Sequence, residues 1–319
     1  MSGPGAGPAA GPAGARAGGG AGGAAVGRAR GWAPGRAVAT VGYLGPQGTW
    51  CHQALLEAGV PAGAGMTPLA TIYDTVMAVH EGTVELALVP IENSLEGSVD
   101  VTLDALATDA DDVAIVGETV LAIRNCLIAP PGLEIEAIET VYSHPQANAQ
   151  CARFLRTRLG HARVVATSST AEAVRSVAAE PQARNAALGN HLAAELYGGR
   201  VLLDGVDDAE GNETRFVWLS LRDGMPRGPA EGPSKTSLVF WGAGDESPGW
   251  LVGCLAEFSE RDINLTRIES RPHRAGLGHY MFFADLHGAA ETPAVAAAIA
   301  GLGEHCETVR VLGSYAVAG

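Results

Sequence analysis

The chain has 319 residues, 47% of them hydrophobic, and 35 acidic against 21 basic side chains give a formal charge of −14. That apolar content supports one or two sizeable buried cores and excludes disorder throughout. So acidic a balance argues against a nucleic-acid partner, and an anionic ligand would have to be held by local geometry against the global field.

Residues 1–37 carry four Arg, no acid, and mostly Gly, Ala and Pro, too little apolar side-chain area to offset the entropy of ordering a backbone, and they are expected to form a disordered tail. The remainder holds 35 acids against 17 bases, a balance of −18. A G-x-G-x-x-G match at Gly18, Gly20 and Gly23 has no strand before it and no helix after it, so the dinucleotide reading fails for lack of context. The five Cys, at 51, 126, 151, 254 and 306, are scattered and odd in number, which suits a reduced cytoplasm. Neither a signal-peptide core nor a membrane-length apolar run is found, so the expectation is a cytoplasmic protein without a membrane partner.

From Val38 onward, short apolar runs alternate with helical periodicity. Residues 38–44 predict a strand and 50–57 a helix. Leu69, Ile72, Val76 and Val79 share one helical face, and 86–91 is a compact apolar strand. A helix over 99–106, extended structure over 113–128 and a buried strand at 140–142 follow. Pro145 suits a first helical turn, with Cys151, Phe154, Leu155 and Leu159 as the buried stripe. Residues 163–166 read as strand, and Ser169 with Glu172 forms a capping box for a helix reaching Ala178. A strand at 186–189 and a helix at 191–197 continue an alternation that predicts an α/β domain with ligand contacts on the loops at strand ends.

Residues 223–234, with three Pro and three Gly, read as a linker. Strand (236–241), helix (250–260), strand (263–269), strand (280–286), helix (294–302) and strand (308–312) come next. This βαββαβ order matches a ferredoxin-like unit, a common module for small-molecule sensing or dimerisation. The domains are thus expected at 38–222 and 235–319.

Four segments lie at predicted strand ends. Gly45-Pro46-Gln47-Gly48-Thr49 could aim backbone N–H groups and the Thr49 hydroxyl at an anion, although an ordinary turn has the same composition. Val89-Pro90-Ile91-Glu92-Asn93-Ser94 ends an apolar strand with an acid, an amide and a hydroxyl, which also suits a capping turn. Ser143-His144-Pro145-Gln146 through Gln150-Cys151 spans a strand tip and the first helical turns; a single His there more often caps the helix than transfers protons. Asn212-Glu213-Thr214-Arg215-Phe216 enters a strand with Thr214 and Phe216 on one pleat face and Arg215 on the other.

In combination these segments resemble the prephenate dehydratase signature. Ile263-Asn264-Leu265-Thr266 and Glu269-Ser270-Arg271-Pro272 resemble the amino-acid-binding ACT domain of the same family. The resemblance spans roughly residues 38–315. It implies a two-lobed, periplasmic-binding-protein-like catalytic domain with a cleft, followed by the ferredoxin-like ACT unit. It assigns Thr214, Asn93, Ser143 and Gln150 to catalysis, with Thr214 as the essential hydroxyl, Thr49, Arg215 and Phe216 to substrate binding, and gives Arg215 the alternative role of structural support. It places the effector site at Gly249, Leu251, Glu269, Ser270, Arg271 and Pro272. The implied reaction converts prephenate to phenylpyruvate with loss of carbon dioxide and hydroxide, with no metal or organic cofactor. Phenylalanine is the implied effector and a homodimer or homotetramer the implied assembly.

The chain departs from the family pattern at three places: Trp50-Cys51 after the Gly-Pro turn, Asn125 where a His is frequent, and Trp250 where a small residue is usual in the effector pocket. Two rivals share the scaffold. One is a non-aromatising prephenate decarboxylase, the other a ligand sensor without turnover.

Overall fold

The structure is a computed structural model that describes residues 1, 3, 38–224, 232–242, 244, 247–273 and 276–318. The expected tail at 1–37 and most of the expected linker at 223–234 lie outside the described residues. Three β-sheets organise what is described.

The first sheet is built from β1 (Thr40–Leu44), β2 (Gly65–Leu69), β3 (Leu86–Asn93), β4 (Gly97–Ser98), β5 (Val113–Ala122) and, from far along the chain, β11 (Glu213–Leu221). Its order is β2-β1-β3-β11-β5, with β4 pairing β3. The first three strands are parallel, linked through α1 (Trp50–Ala58) and α2 (Ile72–His80), and β11 is antiparallel to both of its neighbours. Between β4 and β5, α3 (Asp100–Asp104) runs on into a single π turn (Ala105–Asp109).

The second sheet is an insertion between β5 and β11. It contains β6 (Cys126–Ala129), β7 (Thr140–Ser143), β8 (Arg163–Ala166), β9 (Asn185–Gly189) and β10 (Arg200–Leu203), in the order β10-β6-β9-β7-β8. Its helices are α4 (Pro145–Gln150), α5 (Ala152–Arg158), α6 (Thr170–Ala179) and α7 (His191–Tyr197). The chain therefore crosses between the lobes twice, at 123–125 and at 204–212. Two α/β lobes joined by paired crossings form the expected periplasmic-binding-protein-like architecture.

The third sheet carries the predicted βαββαβ order: β12 (Ser234–Trp241), α8 (Trp250–Ser259), β13 (Leu265–Pro272), β14 (Tyr280–His287), α9 (Pro293–His305) and β15 (Thr308–Ala316). Strand order β13-β14-β12-β15, antiparallel throughout, is the ferredoxin-like arrangement. Its back face is not free. Val239, Met281, Phe283, Leu312 and Tyr315 share one apolar core with Val76, Leu106, Ile115 and Val217 of the first lobe. At Gly313 the approach is so close that an added Cβ would lie 2.1 Å from the Ile115 carbonyl oxygen.

Some boundaries differ from the sequence reading. The extended stretch at 113–128 is two strands, because the first crossing interrupts it. Leu69 ends strand β2 instead of opening a helix, which begins at Ile72. Among the described residues no helix is long and apolar enough to cross a membrane, and all five Cys are buried free thiols.

Candidate active site

In parallel α/β lobes, helices begin where strands end, so the same edge collects strand C-termini and helix N-termini. Here that edge is a cleft of about 360 Å3 between the two lobes. Four helices start on it, each with its first turn fixed by a side-chain cap. Thr49 Oγ1 accepts from His52 N at the start of α1, Thr71 Oγ1 from Asp74 N at α2, His144 Nδ1 from Gln146 N at α4, and Ser169 Oγ from Glu172 N at α6. Trp50, Cys51, Ile72, Gln146, Ala147 and Thr170, all in first turns, line the cleft. Helix N-termini carry unpaired N–H groups and a partial positive charge of about half a unit each. No Lys or Arg is found among the described lining residues, so these backbone dipoles are the cleft's source of positive potential.

The opposite wall comes from β3 and β11. Thr214 pairs in register with Asn93, and a β-bulge directly follows, between Arg215 and Phe216. Pro90, which cannot donate to a ladder, lies on this irregular stretch, beyond the last residue of β3 paired to β1. Asn93 is 8% exposed and its amide is fully used. Its Oδ1 accepts from Leu95 N and Glu96 N, each at 3.0 Å. Those two donors fix the amide's orientation, because only the oxygen can face them. Its Nδ2 therefore donates, with two hydrogens shared among three acceptors: Asn212 Oδ1 (2.8 Å), the Glu213 carbonyl (3.1 Å) and Thr214 Oγ1 (2.9 Å). With its oxygen accepting from Asn93, the Thr214 hydroxyl keeps its own hydrogen for the cleft. Gln150, at the end of α4, accepts from Asn212 Nδ2 at 3.3 Å and reaches Glu96 at 3.5 Å across the lobe boundary. Nearby, Tyr197 of α7 donates to the Gln47 carbonyl (2.8 Å). Gly48, at φ +84°, lies against Ala193 and Tyr197, where a Cβ would have 3.2–3.3 Å contacts.

The structure thus brings Thr49, Asn93, Gln150, Thr214 and Phe216 to one cleft. It corrects two other expectations. Ser143 is fully buried and donates its hydroxyl to the Leu188 carbonyl (2.9 Å), so it braces β7 against β9 and does not line the cleft. Arg215 points through the opposite face of the pleat. Its guanidinium sits among Glu92 (3.1 Å), Glu118 (3.2 Å) and Asp285 (2.5 Å). Lys235 pairs with Glu118 (2.8 Å) and Arg267 faces Asp285 (3.5 Å), so three cations meet three acids between the first lobe and the C-terminal sheet. Burial alone would lower the Arg215 pKa, but Asp285, Tyr315, Glu118 and Glu92 raise it above the ordinary arginine value. Arg215 is a structural tie, and the face toward the cleft belongs to its neighbour Thr214.

The expected effector residues are divided as well. Gly249 and Leu251 line a pocket of about 180 Å3 with Trp250, Gly278, Tyr280 and Phe282. Trp250 packs against Phe240 and Phe282 and donates its indole N–H to the His305 carbonyl (2.7 Å). Glu269 and Arg271 instead turn to the first lobe: Glu269 accepts from Ser98 (2.8 Å), and Arg271 pairs with Asp104 (2.8 Å) and Asp100. Ser270 and Pro272, on the same edge strand β13, do not line the pocket.

Among titratable groups at the cleft, burial pushes the Cys51 thiol up to about 12 and holds the half-buried His144 below its ordinary value, which favours the neutral form of each. Asn125, noted in the sequence only as a departure from the family pattern, is fully buried at the first crossing and lines the cleft. Its backbone N–H and Nδ2 bind both oxygens of Asp207 of the second crossing, at 2.7 and 2.6 Å. Trp50, Ile72, Ser168 and Thr170 were also not anticipated; the capping box at Ser169 signalled a helix start but not that it faces the cleft.

A cleft ringed by four helix N-termini, with one oriented hydroxyl on the far wall, can hold a compact anion and donate a hydrogen bond to it. Comparison with known proteins gives the family. A sequence model of the prephenate dehydratase family matches residues 41–223. The prephenate dehydratase of Mycolicibacterium vanbaalenii is 39% identical over 288 residues, covering 86% of this chain and 90% of that one. The solved prephenate dehydratase of Arthrobacter aurescens in complex with L-Phe is 36% identical at a TM-score of 0.77, covering 87% of this chain and 90% of its own. A structure described as GqqA, a novel type of quorum quenching acylase, is also similar, with 32% identity, a TM-score of 0.75 and coverage of 86% and 97%. This chain belongs to the prephenate dehydratase family.

Proposed function

We propose that Thr214 is the group that acts on the leaving hydroxyl when this enzyme converts prephenate to phenylpyruvate, carbon dioxide and water. The observation that carries this is the Asn93–Thr214 hydrogen bond. By donating to Thr214 Oγ1, Asn93 forces the threonine hydrogen outward and, through hydrogen-bond cooperativity, makes it a better donor. Loss of the ring carboxylate delivers an electron pair to the ring as the C–O bond breaks, and aromatisation drives both. The departing oxygen must gain a proton to leave as water. A threonine is too weak an acid to be consumed, so its work is to stabilise and align that oxygen while the proton comes finally from solvent. The two carboxylates of prephenate are held by the N-termini of α1, α2, α4 and α6. Gln150 and Asn93 brace the hinge-side wall, and Thr49 and Phe216 shape the cleft. His144 caps α4 and transfers no proton.

The fusion of the C-terminal sheet to the first lobe supports regulation by phenylalanine through an ACT domain. The pocket at Gly249, Trp250 and Leu251 is the effector site of this reading, and the L-Phe complex of the Arthrobacter relative supports it. Trp250 forms one wall. A homodimer or homotetramer built on the C-terminal unit, working in the cytoplasm, completes the proposal.

The test is to incubate purified protein with prephenate and follow phenylpyruvate by its absorbance in alkali. Stoichiometric phenylpyruvate supports the proposal. Consumption of prephenate without phenylpyruvate would make it a decarboxylase, and intact prephenate would remove both readings. Because the acylase named above shares this scaffold, direct turnover is the deciding measurement. Phenylalanine should raise the melting temperature and inhibit; indifference would refute the regulatory part alone.

A further inference from the structure

Outside the cleft, three donor groups from three separate elements converge beside the interlobe crossings. Cys126 is the first residue of β6, where the first crossing ends. Asp204 directly follows β10, where the second crossing begins, and His191 is the first residue of α7. The Asp204 Oδ1 atom lies 3.2 Å from both Cys126 Sγ and His191 Nε2, and all three donor atoms fall within 4.8 Å of one another. Among the described residues no other such trio of metal-ligating side chains occurs.

We propose that Cys126, His191 and Asp204 bind zinc(II), with water as the fourth ligand. Three observations carry this. The donor set, one thiol, one imidazole and one carboxylate, is the mixture that borderline-soft zinc prefers. The spacing fits: bonds of about 2.0–2.3 Å at tetrahedral angles separate neighbouring donors by about 3.3–3.6 Å, close to the two 3.2 Å separations present. The charge also fits, since a thiolate and a carboxylate neutralise a dication. The Cys126 proton passes to solvent when the Sγ–zinc bond forms. The His191 and Asp204 side chains are 57% and 47% exposed, which gives the ion an entry path, while the thiol closes the site from behind.

One cation competes. Arg124 Nε is 3.7 Å from Asp204 Oδ1, on a side chain that is 69% exposed and lies over Gly205, so an incoming dication has to displace it from Asp204. Asp207, one of the acids that adds to the field at Cys126, favours a cation. Held this way, zinc would tie the two crossings together at their second-lobe ends. It would be a structural staple of the hinge, with no part in the reaction at the cleft.

The simpler reading is a hydrogen-bonded chain in which the thiol donates to Asp204 and Asp204 pairs with His191. Full-length protein, reduced and stripped of metal, distinguishes the two when titrated with cobalt(II). The proposal requires one equivalent to bind with a thiolate-to-cobalt charge-transfer band and visible bands of tetrahedral intensity, both removed by added zinc. Zinc should also raise the melting temperature of the wild type. His191→Ala, an exposed change at a helix start, should weaken zinc binding at least about 10–100-fold and abolish the melting shift. Cys126→Ser should erase the charge-transfer band. Absence of that band in the wild type, its persistence in Cys126→Ser, or an unchanged metal affinity in His191→Ala would overturn the proposal. If Cys126→Ser does not fold, His191→Ala decides alone. None of these readouts depends on turnover.

Discussion

Asp285→Asn should be the most informative single change in the protein, although it lies in the C-terminal sheet, away from the cleft. The Asp285 side chain is 3% exposed, bonded to Arg215 (2.5 Å) and Ser237 (2.5 Å), and 3.5 Å from Arg267. Removing it turns a balanced cluster of three cations and three acids into one with a buried net positive charge. Breaking a buried ion pair from one side costs about 3–5 kcal/mol. The low end applies, because Arg215 keeps Glu92 and Glu118. A loss of about 3 kcal/mol corresponds to a fall in Tm of about 6–12 °C for units of this size. The double variant Arg215→Gln with Asp285→Asn restores charge balance, so it should cost less than the sum of the single changes by about 0.5–3 kcal/mol.

The pH dependence follows from the same cluster. Burial alone would raise the Asp285 pKa, but Arg215 and Arg267 bring it below the ordinary carboxylate value. Its contribution is then complete above about pH 3.9, the unfolded value, and is lost as the pH falls through the depressed folded value. Asp285→Asn should therefore flatten the acid limb of the stability curve. The assay is thermal unfolding against pH, with prephenate turnover measured well below Tm. Since Arg215 adjoins Thr214 on β11, kcat should fall while KM holds. A Tm change under about 2 °C, or strict additivity in the double variant, would refute the reasoning.

Thr214→Val should lower kcat by about 100-fold or more with the fold intact, whereas Thr214→Ser should keep most of it; steady-state kinetics with prephenate check both. His144→Asn replaces one N-cap with another and should leave kcat within a few-fold, with no acid limb lost from the pH–rate profile. Gly313→Ala drives a Cβ into the Ile115 backbone, which cannot give way as a side chain could, and should cost about 1–3 kcal/mol or more by urea unfolding.

Much of this architecture was legible because local signals agree with it. The Ser169 and Glu172 box, Pro145 at a first turn and the apolar run 86–91 each specify their element without distant help. The strands β2 and β10 escaped because neither alternates: Gly65 and Pro68 interrupt the first, and the second is the unbroken run Val201-Leu202-Leu203 after Arg200. The site was half legible. Pleat alternation showed that Thr214 and Arg215 point to opposite faces, but not that Asp285, 70 residues on, waits for the guanidinium. Ser143 sits at a strand tip as expected; that its hydroxyl is spent on Leu188 depends on a strand pairing that no local pattern encodes.

The insertion of the second lobe between β5 and β11 has a mechanical corollary. The polar contacts described here between the C-terminal unit and the two lobes all reach the first lobe: Ser98, Asp100, Asp104, Glu118 and Arg215. If the cleft is a clamp, the C-terminal unit grips the fixed jaw and leaves the inserted jaw to swing on its two crossings. A message from the C-terminal pocket would then arrive as a distortion of the anvil, at Thr214 and Asn93, and not as a brake on closing.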